Sequence, residues 1–364
     1  MARTALAMVQ TAPERLEPRD IPLPELGADD ALLRVEACGI CGSDVESFQG
    51  VIKIPLPLIP GHEPLGVIEA IGERAAQRWG VAAGDRVAVE TLLPCNACRR
   101  CRGGAYQLCA SRRVYSYIPL GVAPGLWGAY AEYLYLAPNA IVHKVDPTLP
   151  AEIAVLFNPL GAGFRWAAEM PRTQPGDTVL VMGPGQRGLA SVIAAREVGA
   201  GTIIVTGLTR DAHKLALAKE FGADHVIDVE QESVVKRVRE LTDGRGADVV
   251  IEVTPVATQP IVDAIDCTAM GGTVILAGVK GMKPVANLVS DKVVLKEITL
   301  RGAIGVTWEH YERAIRLIES RRLPLEKLQS RRFGLRDAER AVRTLAGEYP
   351  DEQAMHCVLM PELR

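Results

Sequence analysis

Apolar and polar positions change rhythm once along this chain, near residue 152. Before that point the apolar residues come in short groups broken by Gly and Pro. Residues 31–37 (ALLRVEA) alternate roughly, and Gly84-Asp85-Arg86 precedes the β-branched run Val87–Glu90. Short runs between frequent turn residues predict a β-rich unit. After it, unbroken apolar runs alternate with longer mixed stretches. Thr178–Met182, Thr202–Thr206, His225–Asp228, Ala247–Glu252, Thr273–Ala277 and Thr299–Ile304 read as strands. Leu189–Val198, Asp211–Phe221 and Ser233–Thr242 read as the helices between them. Continuous apolar strands alternating with helices predict a parallel, doubly wound sheet with both faces covered. From about 306 the pattern gives helical stretches at Trp308–Ser320 and Leu335–Ala346, then a last strand at His356–Met360.

One turn within the second half carries chemistry. Gly183-Pro184-Gly185-Gln186-Arg187-Gly188 fits G-x-G-x-x-G directly after a strand and at the opening of a helix. In that context the first glycine makes the turn, the second lets backbone approach a pyrophosphate, and the third lets helix and strand pack. The helix N-terminus adds a favourable field for the anion. Where an acid would select NAD, the chain has Gly207, followed by Leu208-Thr209-Arg210-Asp211. A missing acid beside an arginine leans toward the 2′-phosphate of NADP. Asp211 folding back onto the ribose hydroxyls, or Arg210 as a solvated loop charge, would remove that lean.

Composition narrows the class. The 364 residues are 48% hydrophobic and 23% charged, with a net charge of −3. That balance suits a two-domain globular chain, and no basic stripe suggests nucleic acid. The apolar start, residues 1–9 (MARTALAMV), is short and is soon followed by Pro13, so we expect no export signal. No apolar run reaches membrane-spanning length. A soluble, cytoplasmic protein is expected.

Four of the eight cysteines fall in a short segment, Cys95, Cys98, Cys101 and Cys109, spaced C-x2-C-x2-C-x7-C. Four thiolates so spaced can close a tetrahedron around Zn²⁺ with no position left for water, which makes the site structural. Disulfides are the alternative and would need an oxidising compartment. Upstream, Cys41-Gly42-Ser43-Asp44 and Gly61-His62-Glu63 supply a thiolate, an imidazole and a carboxylate, ligand types that suit a catalytic zinc with one open position. Cys38, Cys267 and Cys357 remain as buried free thiols.

Taken together, the four-cysteine lobe, the Cys41 and His62-Glu63 motifs and the glycine loop resemble the zinc-dependent medium-chain alcohol and polyol dehydrogenases over essentially the whole chain. The resemblance implies an α/β protein: a GroES-like β-rich catalytic domain (1–152 and 306–364, with the zinc lobe at 94–110) and a Rossmann dinucleotide-binding domain (153–305), with substrate in the cleft between them. It implies two zinc ions, NAD or NADP, an alcohol or carbonyl substrate, and a homodimer or homotetramer. Cys41 and His62 would ligate the catalytic zinc, with Glu63 as ligand or as a group exchanging with water and substrate. Ser43 would take the substrate proton.

Two positions depart from the family. Its third ligand or water-bridging acid falls on Asn158, within Leu156–Leu160. An amide is a neutral, weaker zinc ligand and can instead hold a water by hydrogen bonding. Glu46 stands where many members carry a relay histidine; it is either a proton outlet to solvent or a surface charge. Phe48 (near Val51, Ile52, Ile54 and Leu56), Trp127 and Tyr130 fall in stretches that line the substrate pocket of relatives; Tyr115 and Tyr117 are similarly placed. Apolar walls, and the loss of the acid at Asn158, would favour an apolar, secondary alcohol over a sugar polyol; all of these residues would serve equally as core. A zinc-free reductase of the same superfamily and a non-catalytic nucleotide-binding relative are the competing readings.

Overall fold

The computed structural model describes residues 3–329, 331–349 and 351–363. Its contacts divide the chain into two units, Met1–Asn158 with Thr307–Arg364, and Pro159–Val306. The first boundary lies past the change of rhythm at 152. Helix Ala151–Ala154 packs on strand Ala31–Gly39, and Phe157 lies against Tyr311 with ring centroids 5.5 Å apart, so this segment joins the first unit.

The first unit is built on a seven-stranded sheet. Along it run Arg331–Phe333, Cys357–Leu359, Ala31–Gly39, Pro64–Ile71, Arg86–Val89 and Val142–Lys144, with Tyr133–Leu136 also pairing to Ala31–Gly39. Strand Cys357–Leu359 thus joins Arg331–Phe333 to the sheet laid down by the first half. Val358 pairs with Gly39, and Ile40 N–H donates to the Cys357 carbonyl at 3.0 Å. The apolar face of this sheet buries Leu33, Val35, Ile68, Val87, Tyr115, Tyr130 and Leu134 in one cluster. A register detail places the functional residues. Cys38 pairs with Pro64 across the antiparallel strands. The end of one strand therefore meets the start of its neighbour, and Cys41 arrives beside His62 and Glu63.

The second unit is a six-stranded sheet whose pairs are all parallel. Its order is His225–Asp228, Thr202–Gly207, Thr178–Met182, Ala247–Glu252, Thr268–Leu276, Thr299–Gly302. The strands alternate with helices in the sequence, including Gln186–Glu197, Ala212–Glu220 and Val234–Leu241. Thr178–Met182 is buried at every position, as a central strand covered on both faces must be. Thr299–Gly302 differs from the expected apolar strand: it ends before Ile304 and lies exposed along the sheet edge.

Candidate active site

Cys41 is the N-cap of the short helix Gly42–Phe48. The Asp44 carboxylate, at the third position of that helix, accepts from the Cys41 backbone N–H at 2.8 Å. Cap and ligand are therefore one turn, and the bond fixes the thiol at the helix entrance. His62 and Glu63 sit on the far side of a tight approach. Gly61 has φ +92°, and a Cβ there would strike the Tyr130 ring, so glycine is required on both counts.

Each carbonyl of this segment is held. Tyr130 N–H donates to Pro60 at 2.9 Å, Ala129 N–H to Gly61 at 3.0 Å, and Gly39 N–H to Glu63 at 3.1 Å. The His62 carbonyl is instead held by a side chain, the Thr91 hydroxyl at 2.9 Å.

The result is a buried trio. One ligand atom from each of Cys41, His62 and Glu63 falls within 4.8 Å of the others. A thiolate, an imidazole and a carboxylate converging in a dry site need a cation between them to share their charge, so the set fits zinc. The His62 ring is oriented from both sides. Asp44 Oδ1 lies 3.2 Å from Nδ1 and Ser116 Oγ 3.4 Å from it, while Ser43 Oγ is 3.3 Å from Nε2. Burial works against charge on His62, but the Asp44 carboxylate outweighs it and holds the imidazole well above its ordinary range.

The other expected residues divide. Ser43 and Glu46 share the Cys41 helix and are half-buried. Asn158 is buried in the first unit. Its amide nitrogen donates to Thr91 Oγ1 at 3.1 Å and lies 3.4 Å from the Tyr311 hydroxyl. Phe48, Trp127 and Tyr130 all belong to the buried core cluster. Trp127 stacks edge-on against Tyr135 at 5.0 Å and donates to the Val122 carbonyl at 2.8 Å, and Phe48 lies under the Arg343 guanidinium at 5.1 Å. Tyr115 is core as well, while the Tyr117 hydroxyl meets Ser47 Oγ at 3.4 Å. Phe48 and Tyr130, though buried, also line a small cavity with Asp44, Ser116 and Tyr117.

Sequence position alone assigns no role to Asp44, Ser116 or Thr91. Only Asp44 carried a local signal, an acid at the third position of a helix whose cap is a candidate ligand.

The cysteine lobe is equally compact. Sγ of Cys101 lies 3.5 Å from that of Cys98 and 3.9 Å from that of Cys95. Tetrahedral zinc with Zn–S near 2.3 Å sets sulfurs roughly 3.8 Å apart, far beyond a disulfide's ~2.05 Å. Backbone N–H groups of Ala97 and Cys98 lower the Cys95 thiol to about 6, while burial and neighbouring thiols raise Cys101 to about 12. Thiols this close cannot all ionise without a cation among them. The four residues fit zinc, and all eight cysteines are free of disulfides.

In the second unit the glycine turn has the expected form. Gly183 follows strand Thr178–Met182 with φ +108°, and Gly185 caps helix Gln186–Glu197. A Cβ on Gly188 would strike the Gly183 carbonyl, whereas one on Gly185 would meet nothing within 4 Å. Close packing explains the third glycine; open space at the second leaves room for a ligand's phosphates. The Arg187 guanidinium lies 5.7 Å from the Trp166 ring.

At the end of strand Thr202–Gly207, Gly207 pairs with Asp228 of the neighbouring strand. Thr209 Oγ1 donates to Asp228 Oδ2 at 2.7 Å, and Thr209 N–H to Glu230 Oε2 at 2.9 Å. Asp211 pairs with Lys214 at 3.0 Å, and Arg210 is exposed.

Comparison with known proteins agrees with this geometry. The model described as "Alcohol dehydrogenase GroES-like domain" matches residues 27–147, and that described as "Zinc-binding dehydrogenase" matches 188–320. A Mycobacterium tuberculosis protein named "Probable alcohol dehydrogenase" is 48% identical over 98% of each chain. The erythritol/L-threitol dehydrogenase of Mycolicibacterium smegmatis is 32% identical, over 93% of this chain and 94% of that one. Among solved structures, a protein described as a zinc-binding dehydrogenase from Sinorhizobium meliloti 1021, bound to NADP, superposes with a TM-score of 0.86 at 26% identity, covering 98% of this chain and 99% of the other. The chain belongs to the zinc-dependent medium-chain alcohol and polyol dehydrogenase family.

Proposed function

We propose that this protein is a zinc-dependent alcohol dehydrogenase that moves a hydride between an alcohol and a nicotinamide dinucleotide, giving a ketone or aldehyde. The convergence of Cys41, His62 and Glu63 in one buried site carries the reading. Cys41, His62 and Glu63 would hold a zinc that would supply Lewis acidity toward an alcohol hydroxyl, and a bound nicotinamide would supply the redox chemistry. The chain's own residues do the rest. Asp44 and Ser116 hold the His62 ring from Nδ1, which leaves Nε2 for the metal. Ser43, beside that nitrogen, is placed to accept the substrate proton. Glu46, on the same helix, is the proposed outlet to solvent.

Two zinc ions per chain are proposed, the second in the cysteine lobe. For the cofactor we set NAD ahead of NADP, reversing the lean taken from Gly207 and Arg210. A 2′-phosphate at the end of strand Thr202–Gly207 would approach Asp211, Asp228 and Glu230 as well as Arg210 and Lys214, and the three acids oppose it.

The substrate is proposed to be a small secondary alcohol. Phe48, Ile54, Leu58 and Tyr130 give the cavity beside Asp44 and Ser116 apolar walls, which favours an apolar alcohol, and Asn158 in place of an acid supports the same reading over a polyol. The erythritol/L-threitol relative keeps a polyol as the second reading.

A homo-oligomer is proposed through the exposed edge strand Thr299–Gly302, flanked by Val294 and Leu295, which are 72% and 75% exposed. An unpaired edge beside exposed apolar side chains is a natural pairing surface for a second copy. No helix among the described residues is long and apolar enough to cross a membrane, and eight free thiols suit a reducing, cytoplasmic setting.

The reading is tested by following the reduced-nicotinamide absorbance with NAD and NADP against alkyl, aryl, cyclic and polyol alcohols, with metal content measured in parallel. Turnover by the metal-loaded protein supports it; metal-loaded protein inert to every alcohol and carbonyl would contradict it.

A further inference from the structure

Asn158 occupies the position where the family places a third ligand or an acid, and its hydrogen bonds define a different task. The Thr91 hydroxyl has one proton, donated to the His62 carbonyl at 2.9 Å. Toward its next neighbour it can only accept, and that neighbour is Asn158 Nδ2 at 3.1 Å. The amide is thereby fixed with its NH₂ group on Thr91 and, at 3.4 Å, toward the buried Tyr311 hydroxyl. The His62 carbonyl belongs to the peptide joining His62 to Glu63, the two adjacent residues of the metal trio. It is also the carbonyl of residues 60–63 that a side chain, rather than backbone, holds in the bonds described above.

We infer that Asn158 is a positioning residue that sets the His62–Glu63 peptide through Thr91. A carboxylate at 158 would act oppositely. It has no proton to give, so it would draw the Thr91 hydroxyl toward itself and away from the His62 carbonyl. An amide keeps that hydroxyl committed to the backbone between the ligands. The departure from the family is thus matched to Thr91, and the two residues work as one chain of donors. This inference rests on the proposal that Cys41, His62 and Glu63 hold zinc.

The test uses the full-length protein with both zinc sites loaded. Zinc retention is measured by competition with a chromogenic chelator, alongside kcat and KM, for Asn158→Ala, Asn158→Asp, Thr91→Val, Thr91→Ser and the Asn158→Ala/Thr91→Val pair. Loss of an outer hydrogen bond to a metal ligand weakens binding about 10–100-fold. Asn158→Ala, Asn158→Asp and Thr91→Val should each release the Cys41-site zinc within that range more readily, while the cysteine-lobe zinc stays. Thr91→Ser should restore wild-type retention, and the double variant should be no worse than the poorer single one. Tighter binding in Asn158→Asp would overturn the inference in favour of direct ligation. Unchanged retention in Asn158→Ala, or additive losses in the double variant, would also overturn it. Wild-type protein holding zinc only in the lobe would instead remove the underlying reading of the trio.

Discussion

The Asp44 carboxylate lies 3.2 Å from Nδ1 of His62 while accepting the Cys41 backbone N–H at 2.8 Å. One acid thus orients two of the three candidate ligands, one through its ring and one through its cap. Asp44→Asn keeps the shape but removes the charge that favours a strongly donating imidazole. We expect zinc affinity at the Cys41 site to fall about 10–100-fold. Asp44→Ala should add roughly 1 kcal/mol of lost stability from the helix cap. Chelator competition and urea unfolding measure the two effects separately; equal zinc retention in wild type and Asp44→Asn would disprove the orienting role.

A second buried acid and imidazole make stability depend on pH. His143 has Nε2 3.0 Å from Glu90 and Nδ1 2.6 Å from Glu312, and Tyr106 of the cysteine lobe donates to Glu90 at 2.7 Å. A neutral imidazole has one N–H, so carboxylates on both nitrogens call for the protonated form. Burial opposes that charge, but Glu312 and Glu90 outweigh it and raise His143, while burial raises Glu90. Glu312 is lowered, mainly by its bond to His143.

The sign follows. A raised His143 contributes stability fully present below its unfolded value of about 6.5 and lost as pH rises through its folded value. Raised Glu90 acts in the same direction. Lowered Glu312 contributes above its unfolded value of about 4.3 and loses that as pH falls. Thermal midpoints should therefore decline as pH rises above about 6.5, and His143→Gln should flatten the decline. His143→Ala, which strands a buried carboxylate, should cost about 3–5 kcal/mol. A wild-type midpoint rising steadily from pH 6.5 to 9 would contradict this.

Removing one lobe thiol separates structural from catalytic zinc. Cys101→Ser should lower the zinc content from two ions to one per chain and leave Cys41-site zinc in place. The lost linkage is about 2.7 kcal/mol where zinc stands at a hundredfold its Kd. Metal analysis with thermal unfolding checks both, and two zinc ions retained by the variant would refute the lobe as a site.

Charge at the adenosine end predicts cofactor choice. Neutralising Asp228 or Glu230, as Asp228→Asn or Glu230→Gln, should improve NADP use relative to NAD by about tenfold, or ~1.4 kcal/mol. The ratio of kcat/KM for the two cofactors is the measurement. A fall in that ratio would mean these acids do not face the ribose.

What the chain discloses without its structure depends on how local each feature is. The glycine turn and the four-cysteine lobe are contained in short segments whose spacing is itself the geometry, so they are legible. The parallel strands are legible because Thr178–Met182 and its neighbours are buried on both faces and read as unbroken apolar runs. Thr91 is different: nothing beside it marks a threonine that reaches the His62 carbonyl, because that contact is created by folding alone. Asp228 likewise reaches the Gly207 position by pairing across strands. Phe48, Trp127 and Tyr130 are not decided by sequence because an aromatic looks the same whether it faces a pocket or the sheet core, and Phe48 and Tyr130 do both. Strand Thr299–Gly302 carries only Leu300 as an apolar side chain, and its exposure follows from its place at the sheet edge.

The most direct measurement is alcohol-dependent formation of reduced nicotinamide by the wild-type protein, before chelation of the Cys41-site zinc, after it, and again after zinc is returned, with His62→Ala beside it. The account predicts turnover that disappears on chelation, returns with zinc and is absent in His62→Ala. Turnover that survives both zinc removal and the loss of His62 would contradict it.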